Sequence, residues 1–178
     1  MQTELDESIK ESLRGYDGKS VKPFRLIAED LAIRPDALEI VISIIDSDEP
    51  NAQVGGTWVL KHLLELGLET DGKFCKKALL WLNSTSDKDA RLHLLQIFSH
   101  IKIPKSLHDR VYALGLELTT DRNTFVRAWA YNLIGLVAVA NLDFQAETRV
   151  RFKKAMLTET ASIKARIRNT EFYKTKRL

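Results

Sequence analysis

The chain has 178 residues, of which 44% are hydrophobic and 29% charged, with a formal net charge of +3. Four prolines and eight glycines are too few for a sheet built on many tight turns, and the single cysteine, Cys75, excludes an intrachain disulfide. A reducing, cytoplasmic setting is expected. The opening residues, MQTELDESIKESL, lack the apolar segment of a secretory signal, and no apolar run is long enough to cross a bilayer, so no membrane partner is expected.

Thr3–Arg14 reads as a polar helix with Leu5, Ile9 and Leu13 on one stripe and Thr3 as its cap. Gly15, Asp17 and Gly18 break it. Lys22-Pro23 starts a second helix, since proline fits the first helical turn, and Phe24, Ile27, Ala28 and Leu31 form its inner face. Pro35–Ile45 carries Leu38, Val41, Ile42 and Ile45, and Ser47–Asn51 is a turn. Val54–Leu66 follows with Trp58, Leu60, Leu63 and Leu64, and Gly67 closes it. Lys73–Leu82 is short. Asn83–Asp87 is a loop that ends in a cap.

Asp89–Ile101 and Ser106–Leu118 are the next helices, followed by a turn at Thr119–Asn123. The most regular pattern runs from Asp121 to Ala140. There Val126, Ala130, Leu133 and Val137 recur at helical spacing, and Ile134 and Gly135 widen the stripe. After a turn at Asn141–Asp143, Phe144–Leu157 and Thr160–Tyr173 complete about ten helices in five pairs. Charge is uneven along this order. Residues 149–178 carry a net +8 and the remainder −5. Such a basic end suits an acidic partner, and equally it reads as a solvated helix face.

The pairs repeat. Ala90-Arg91, Val126-Arg127 and Ile163-Lys164 each place a cation after an apolar residue, and each follows a polar turn: STSDKD, TTDRNT and TETAS. Their spacing, 36 and then 37 residues, is the period of a helical repeat array. Five residues after the cations come Gln96, Asn132 and Asn169. One helical turn after them come Leu95, Tyr131 and Arg168.

These residues carry a resemblance. VRAWAYNLIGLVA is similar to the second helix of a HEAT (armadillo-type) repeat, and ARLHLLQIFSHI and IKARIRN share its opening. The resemblance implies an all-α fold: a right-handed α-solenoid of about five antiparallel helix pairs, forming one domain over residues 1–178 with the first and last pairs as caps. It also implies a noncatalytic scaffold that binds a protein or peptide, acidic in character, along the concave face of the second helices. Arg91, Gln96, Arg127, Tyr131, Asn132, Lys164, Arg168 and Asn169 would form the binding strip.

A plainer role for the cations is pairing with turn acids: Asp87 with Arg91, Asp121 with Arg127, and Glu159 with Lys164. The alternative function is nucleic-acid binding, since the architecture also resembles the HEAT-like DNA-alkylation-repair glycosylases. The basic end and Trp129 favour that reading. The acidic first half and the lack of that family's catalytic acid and Trp set oppose it.

No phosphate loop, HExxH, CxxC or nucleophile elbow occurs. His93 and His100 are seven residues apart, too far to share one zinc without further ligands. Neither a cofactor nor a metal is expected. Cys75, within FCKK, reads as a buried, inert thiol. Trp58, Trp81 and Trp129 read as buried packing, with base stacking on Trp129 or Tyr131 as the sharper alternative.

Overall fold

The computed structural model describes residues 7, 9, 11–13, 20–47 and 49–176. Among these residues the protein is all-helical, with no strand. It divides into two compact units, residues 1–70 with 85–100, and residues 71–84 with 101–178.

In the first unit the helices are α1 (Lys22–Leu31), α2 (Ala37–Ile45), α3 (Pro50–Glu65) and, after the second unit's α4 (Phe74–Ser84), α5 (Lys88–Ile97). Before them, Glu7, Ile9 and Glu11 to Leu13 are helical, and Ile9 and Leu13 are buried. The expected cap Thr3, Leu5 and the break at Gly15, Asp17 and Gly18 lie outside the described residues. Helix α3 contacts α1, α2 and α5 and is the centre of this unit.

Helix α3 begins earlier than the sequence pattern suggests. Pro50 and Asn51 belong to its first turn rather than to a preceding loop, because proline's missing N–H costs nothing there. At its other end Gly67 has φ of 100°. Leu68 donates its N–H to the Leu63 carbonyl at 2.9 Å, and Gly67 donates to Leu64 at 3.2 Å. This left-handed cap satisfies carbonyls that the helix leaves open, and it needs a residue without a side chain. Helix α5 stops at Ile97, four residues before the expected end. Ser99 and His100 fold back onto Gln96 and Ile97, and Phe98 reaches the core from the helix cap.

A part-buried polar bridge joins α3 to α5. The Thr57 hydroxyl donates to the Val54 carbonyl at 2.9 Å, so its oxygen accepts from His93 Nδ1 at 3.2 Å. Burial pulls His93 down from 6.5 to about 4. The unfolded imidazole protonates near 6.5 and the folded one near 4, so the unfolded state binds more protons between those values. The stability of this neutral bridge is therefore complete above pH 6.5 and is lost as pH falls toward 4, by about 2–3 kcal/mol. Urea midpoints at several pH values should drop over this window, and His93→Leu should flatten the drop. An unchanged slope in His93→Leu would assign the acid sensitivity elsewhere.

In the second unit α4 is followed by a 3₁₀ turn (Lys105–Leu107), α6 (His108–Leu118), α7 (Thr124–Ala140) and a second 3₁₀ turn (Leu142–Phe144). The chain ends with α8 (Gln145–Thr158), α9 (Ala161–Asn169) and α10 (Glu171–Lys176). Helix α7 contacts α6, α8, α9 and α10. Val126, Ala130, Leu133 and Val137 are each 0% exposed, as the spacing requires. Gly115 lets α6 approach closely, since a Cβ there would lie 2.8 Å from Ile134 Cγ2. The Tyr112 hydroxyl meets Thr148 Oγ1 at 2.9 Å, a second polar bridge, this one buried, between α6 and α8.

The continuous final helix expected over Thr160–Tyr173 is two helices. Thr170 adopts extended backbone, with ψ of 146°, and its hydroxyl oxygen accepts from the Tyr173 N–H at 3.2 Å. Thr170 thus caps α10, and Glu171 falls in a first turn, where the helix dipole favours an acid. Phe172 then supplies the buried bulky group.

Cys75 is fully buried on α4, and burial pushes its thiol up to about 11, which leaves it protonated and unreactive. The three tryptophans are less buried than the expected buried packing. Each is half-buried with a cation over its ring: Lys61 at 5.3 Å from Trp58, Lys77 at 5.3 Å from Trp81, and Arg166 at 3.8 Å from Trp129. Among the described residues, no helix is long and apolar enough to cross a membrane.

Candidate functional site

The three repeated cations occupy similar helix starts, although Thr160, unlike Asp87 and Asn123, makes no side-chain cap. Four residues before each stands the helix cap: Asp87, Asn123 and Thr160. The backbone N–H of Arg91, Arg127 and Lys164 returns to the carbonyl of that cap residue at 3.0 Å in every case. Asp87 Oδ1 accepts from the Asp89 and Ala90 N–H groups, and Asn123 Oδ1 accepts from Phe125 and Val126. The side chain of each cation then reaches back over the turn to a carbonyl. Arg91 donates to Thr85 at 2.7 Å, Arg127 to Asp121 at 2.9 Å, and Lys164 to Leu157 at 3.3 Å.

Two of the expected acid pairs are replaced by these contacts. Arg127 reaches Asp121 through the backbone carbonyl, while the Asp121 carboxylate accepts from the Asn123 N–H at 2.7 Å. The carboxylate that Arg127 meets is Glu159, at 3.5 Å, and Lys164 takes the Leu157 carbonyl. The Arg127 and Glu159 side chains are only 19% and 18% exposed, but the separation is long. Their coupling should be about 0.5–1 kcal/mol. In a cycle of Arg127→Met and Glu159→Gln, the double variant should lose less stability than the sum of the singles by that amount. Strict additivity in urea denaturation would show that the pair contributes nothing.

Around Glu159 lies a cavity of about 220 Å³. Thr119 and Thr120 line it from the end of α6, Tyr131 from α7, and Arg151, Lys154, Ala155 and Thr158 from α8. Residues 151, 154, 155 and 158 share one helix face, and the small Ala155 leaves room between the longer side chains. Thr119, Thr120 and Thr158 donate their hydroxyl protons to the carbonyls of Leu116, Glu117 and Lys154. Their oxygens therefore remain as acceptors.

Tyr131 packs edge-on against Phe152 at 6.1 Å and is only 9% exposed, yet its hydroxyl makes no hydrogen bond among the described residues. Burial, and then the Glu159 charge, raise its pKa, so the hydroxyl stays protonated as a donor. Arg151 commits Nε and Nη2 to Glu147 at 2.9 and 2.6 Å.

The eight residues of the expected strip are not all alike. Arg91, Arg127 and Lys164 are tied to their turns. Gln96 and Asn132 are half-buried, and Arg168 and Asn169 are exposed near the end of α9. Only Tyr131 of the eight lines the cavity. Arg151, Lys154 and the threonines join it without having been singled out, although the i, i+3, i+7 spacing of 151, 154 and 158 was present in the basic segment. One face of the Trp129 ring carries Arg166 at 3.8 Å.

Among the described residues no three His, Cys, Asp or Glu side chains gather to hold a metal ion. The cavity's groups can bind and orient an anion through paired cations and a donor hydroxyl. No protein-family model, curated protein or solved structure compared with this chain matches it.

Proposed function

We propose that the protein is a noncatalytic HEAT-like α-solenoid scaffold that binds an acidic protein or peptide. The observation that carries this reading is the recurrence of the cation-to-carbonyl contact at Arg91, Arg127 and Lys164, spaced 36 and 37 residues apart, with side-chain caps before the first two. The two polar bridges, Thr57 to His93 and Tyr112 to Thr148, each span 36 residues and support the same period. Stacked repeats bury one another's apolar faces and leave an extended surface rather than an enclosed catalytic pocket.

Within this reading the latched cations hold the turns. Binding falls to the exposed Arg168 and Asn169 and to the basic face of α8. Fold-level analogy supplies the scaffold role, and the net charge of residues 149–178 supplies the acidic partner.

The test is a fluorescence-anisotropy titration of a glutamate-rich peptide, blocked at both ends, beside a generic DNA duplex, each at low and physiological salt. The peptide is expected to bind saturably, and Arg168→Glu is expected to weaken it. Duplex binding without peptide binding would replace this reading with the nucleic-acid one, and binding of neither would refute it.

A further inference from the structure

The Tyr131 side chain is nine-tenths buried, but its hydroxyl opens on the cavity and bonds to no described residue, which leaves a fixed donor for water or a ligand. The groups around it sort by chemistry. Donors are the Tyr131 hydroxyl, Arg151 Nη1 and the Lys154 ammonium, which enters no ion pair among the described residues. Acceptors are the oxygens of Thr119, Thr120 and Thr158 and the carboxylate of Glu159.

The charges are accounted for in the same way. Glu159 leans toward Arg127 at 3.5 Å, and Glu147 holds two of the Arg151 nitrogens from outside the lining. Lys154 is thus the uncompensated charge on the cavity, and it is positive. A purely cationic guest would meet Arg151 and Lys154, and a purely anionic one would leave the acceptor wall unmatched.

We propose that this cavity is a binding site for a carboxylate with an N–H or O–H donor beside it. The carboxylate sits among Tyr131, Arg151 and Lys154, and the neighbouring donor faces the threonine oxygens and Glu159. A cavity of about 150 Å³ admits a benzene-sized guest, so about 220 Å³ has room for the acid group with a small body against Ala155. Two sources carry this chemistry: a free N-acylated amino acid or hydroxy acid, and the C-terminal residue of a peptide. The site shares α8 with the scaffold reading, but that reading's peptide probe has blocked ends, so either can fail alone.

The experiment is a heteronuclear NMR titration of the full chain with four probes. These are N-acetylalanine, N-acetylalanine amide, and a short peptide with a free or an amidated C-terminus. Saturable shifts are expected at the amides of Tyr131, Ala155 and Thr158 with the acids only. If only the free-ended peptide binds, the source is a chain terminus. If N-acetylalanine binds as well, a small acid suffices.

Tyr131→Phe keeps the ring on Phe152 and should weaken binding by about tenfold, the loss of one hydrogen bond to a charged group. Arg151→Gln with Lys154→Gln should weaken it further while lowering the melting temperature by no more than about two degrees, the loss of one exposed i,i+4 pair. Equal binding of acids and amides, unchanged affinity in Tyr131→Phe, or no saturable shift with any probe would overturn the proposal.

Discussion

Val126→Asp is expected to cost several kcal/mol of stability and to lower the melting temperature by about 10 °C or more. Two effects compete at this position. Val126 is the third residue of α7 after its Asn123 cap. An acid in the first turn of a helix normally gains about 0.3–1 kcal/mol from the helix dipole. Val126 is also 0% exposed, on the helix that meets four others in its unit. Burying a carboxylate there without a partner costs several kcal/mol whether it stays charged or takes up a proton.

Burial wins, and a neighbour separates the two effects. Phe125 is one residue earlier in the same turn but 63% exposed. Phe125→Asp keeps the dipole gain without the burial cost, so its melting temperature should stay within a few degrees of the parent. Equal losses in the two variants would mean that the first turn resists any acid and that burial is not the cause.

Helix α7 was legible because its apolar residues recur at helical spacing for about three turns, and all four stripe positions are buried. Helix ends were less legible. Pro50 reads as a turn residue beside Asp48 and Glu49, yet it starts α3. The ending of α5 at Ile97 depends on Phe98 reaching the core from the cap, which no local pattern announces. The break at Thr170 did leave a trace. From Ile163 and Ile167 the next inward position falls at 170 or 171, but the buried ring is Phe172. Thr170 fills that inward position as the cap, and Phe172 lies out of phase because a new helix has begun.

The site was legible in part for a different reason. The column of Arg91, Arg127 and Lys164 is visible as a repeat, and its anchoring to turn carbonyls needs only local geometry. Arg127's carboxylate partner is not local. Asp121 is nearer in sequence, but its carboxylate meets the Asn123 amide, and Glu159 arrives from a turn 32 residues away. The cavity likewise needs α6, α7 and α8 together. Tyr131 appeared in the sequence as one more member of the column. Its unused hydroxyl exists only because Phe152 holds its ring while no neighbour supplies an acceptor.

That dependence makes Phe152→Ala the most informative change in the second unit. Phe152 is 0% exposed and sits between the Tyr131 ring, at 6.1 Å and 71°, and the Phe172 ring, at 5.6 Å and 88°. Truncation removes both edge-to-face contacts and leaves a void, at a cost of about 3–5 kcal/mol. A second substitution reads the void directly. A Cβ on Gly135 would lie 3.3 Å from Phe152 Cζ, tighter than comfortable packing.

In the parent, Gly135→Ala must push the Phe152 ring, so the gain from replacing a mid-helix glycine, about 1 kcal/mol, is offset by strain. In Phe152→Ala that neighbour is gone. The same Gly135→Ala change should then recover up to about 1 kcal/mol, since the next atoms, Phe172 Cβ and Thr170 Cβ, stand at ordinary contact distances of 3.6 and 3.7 Å. Urea denaturation of the four proteins measures the difference. A Gly135→Ala effect of the same size and sign in both backgrounds would show that Phe152 does not press on α7, and the account of how Tyr131 is held would fall with it.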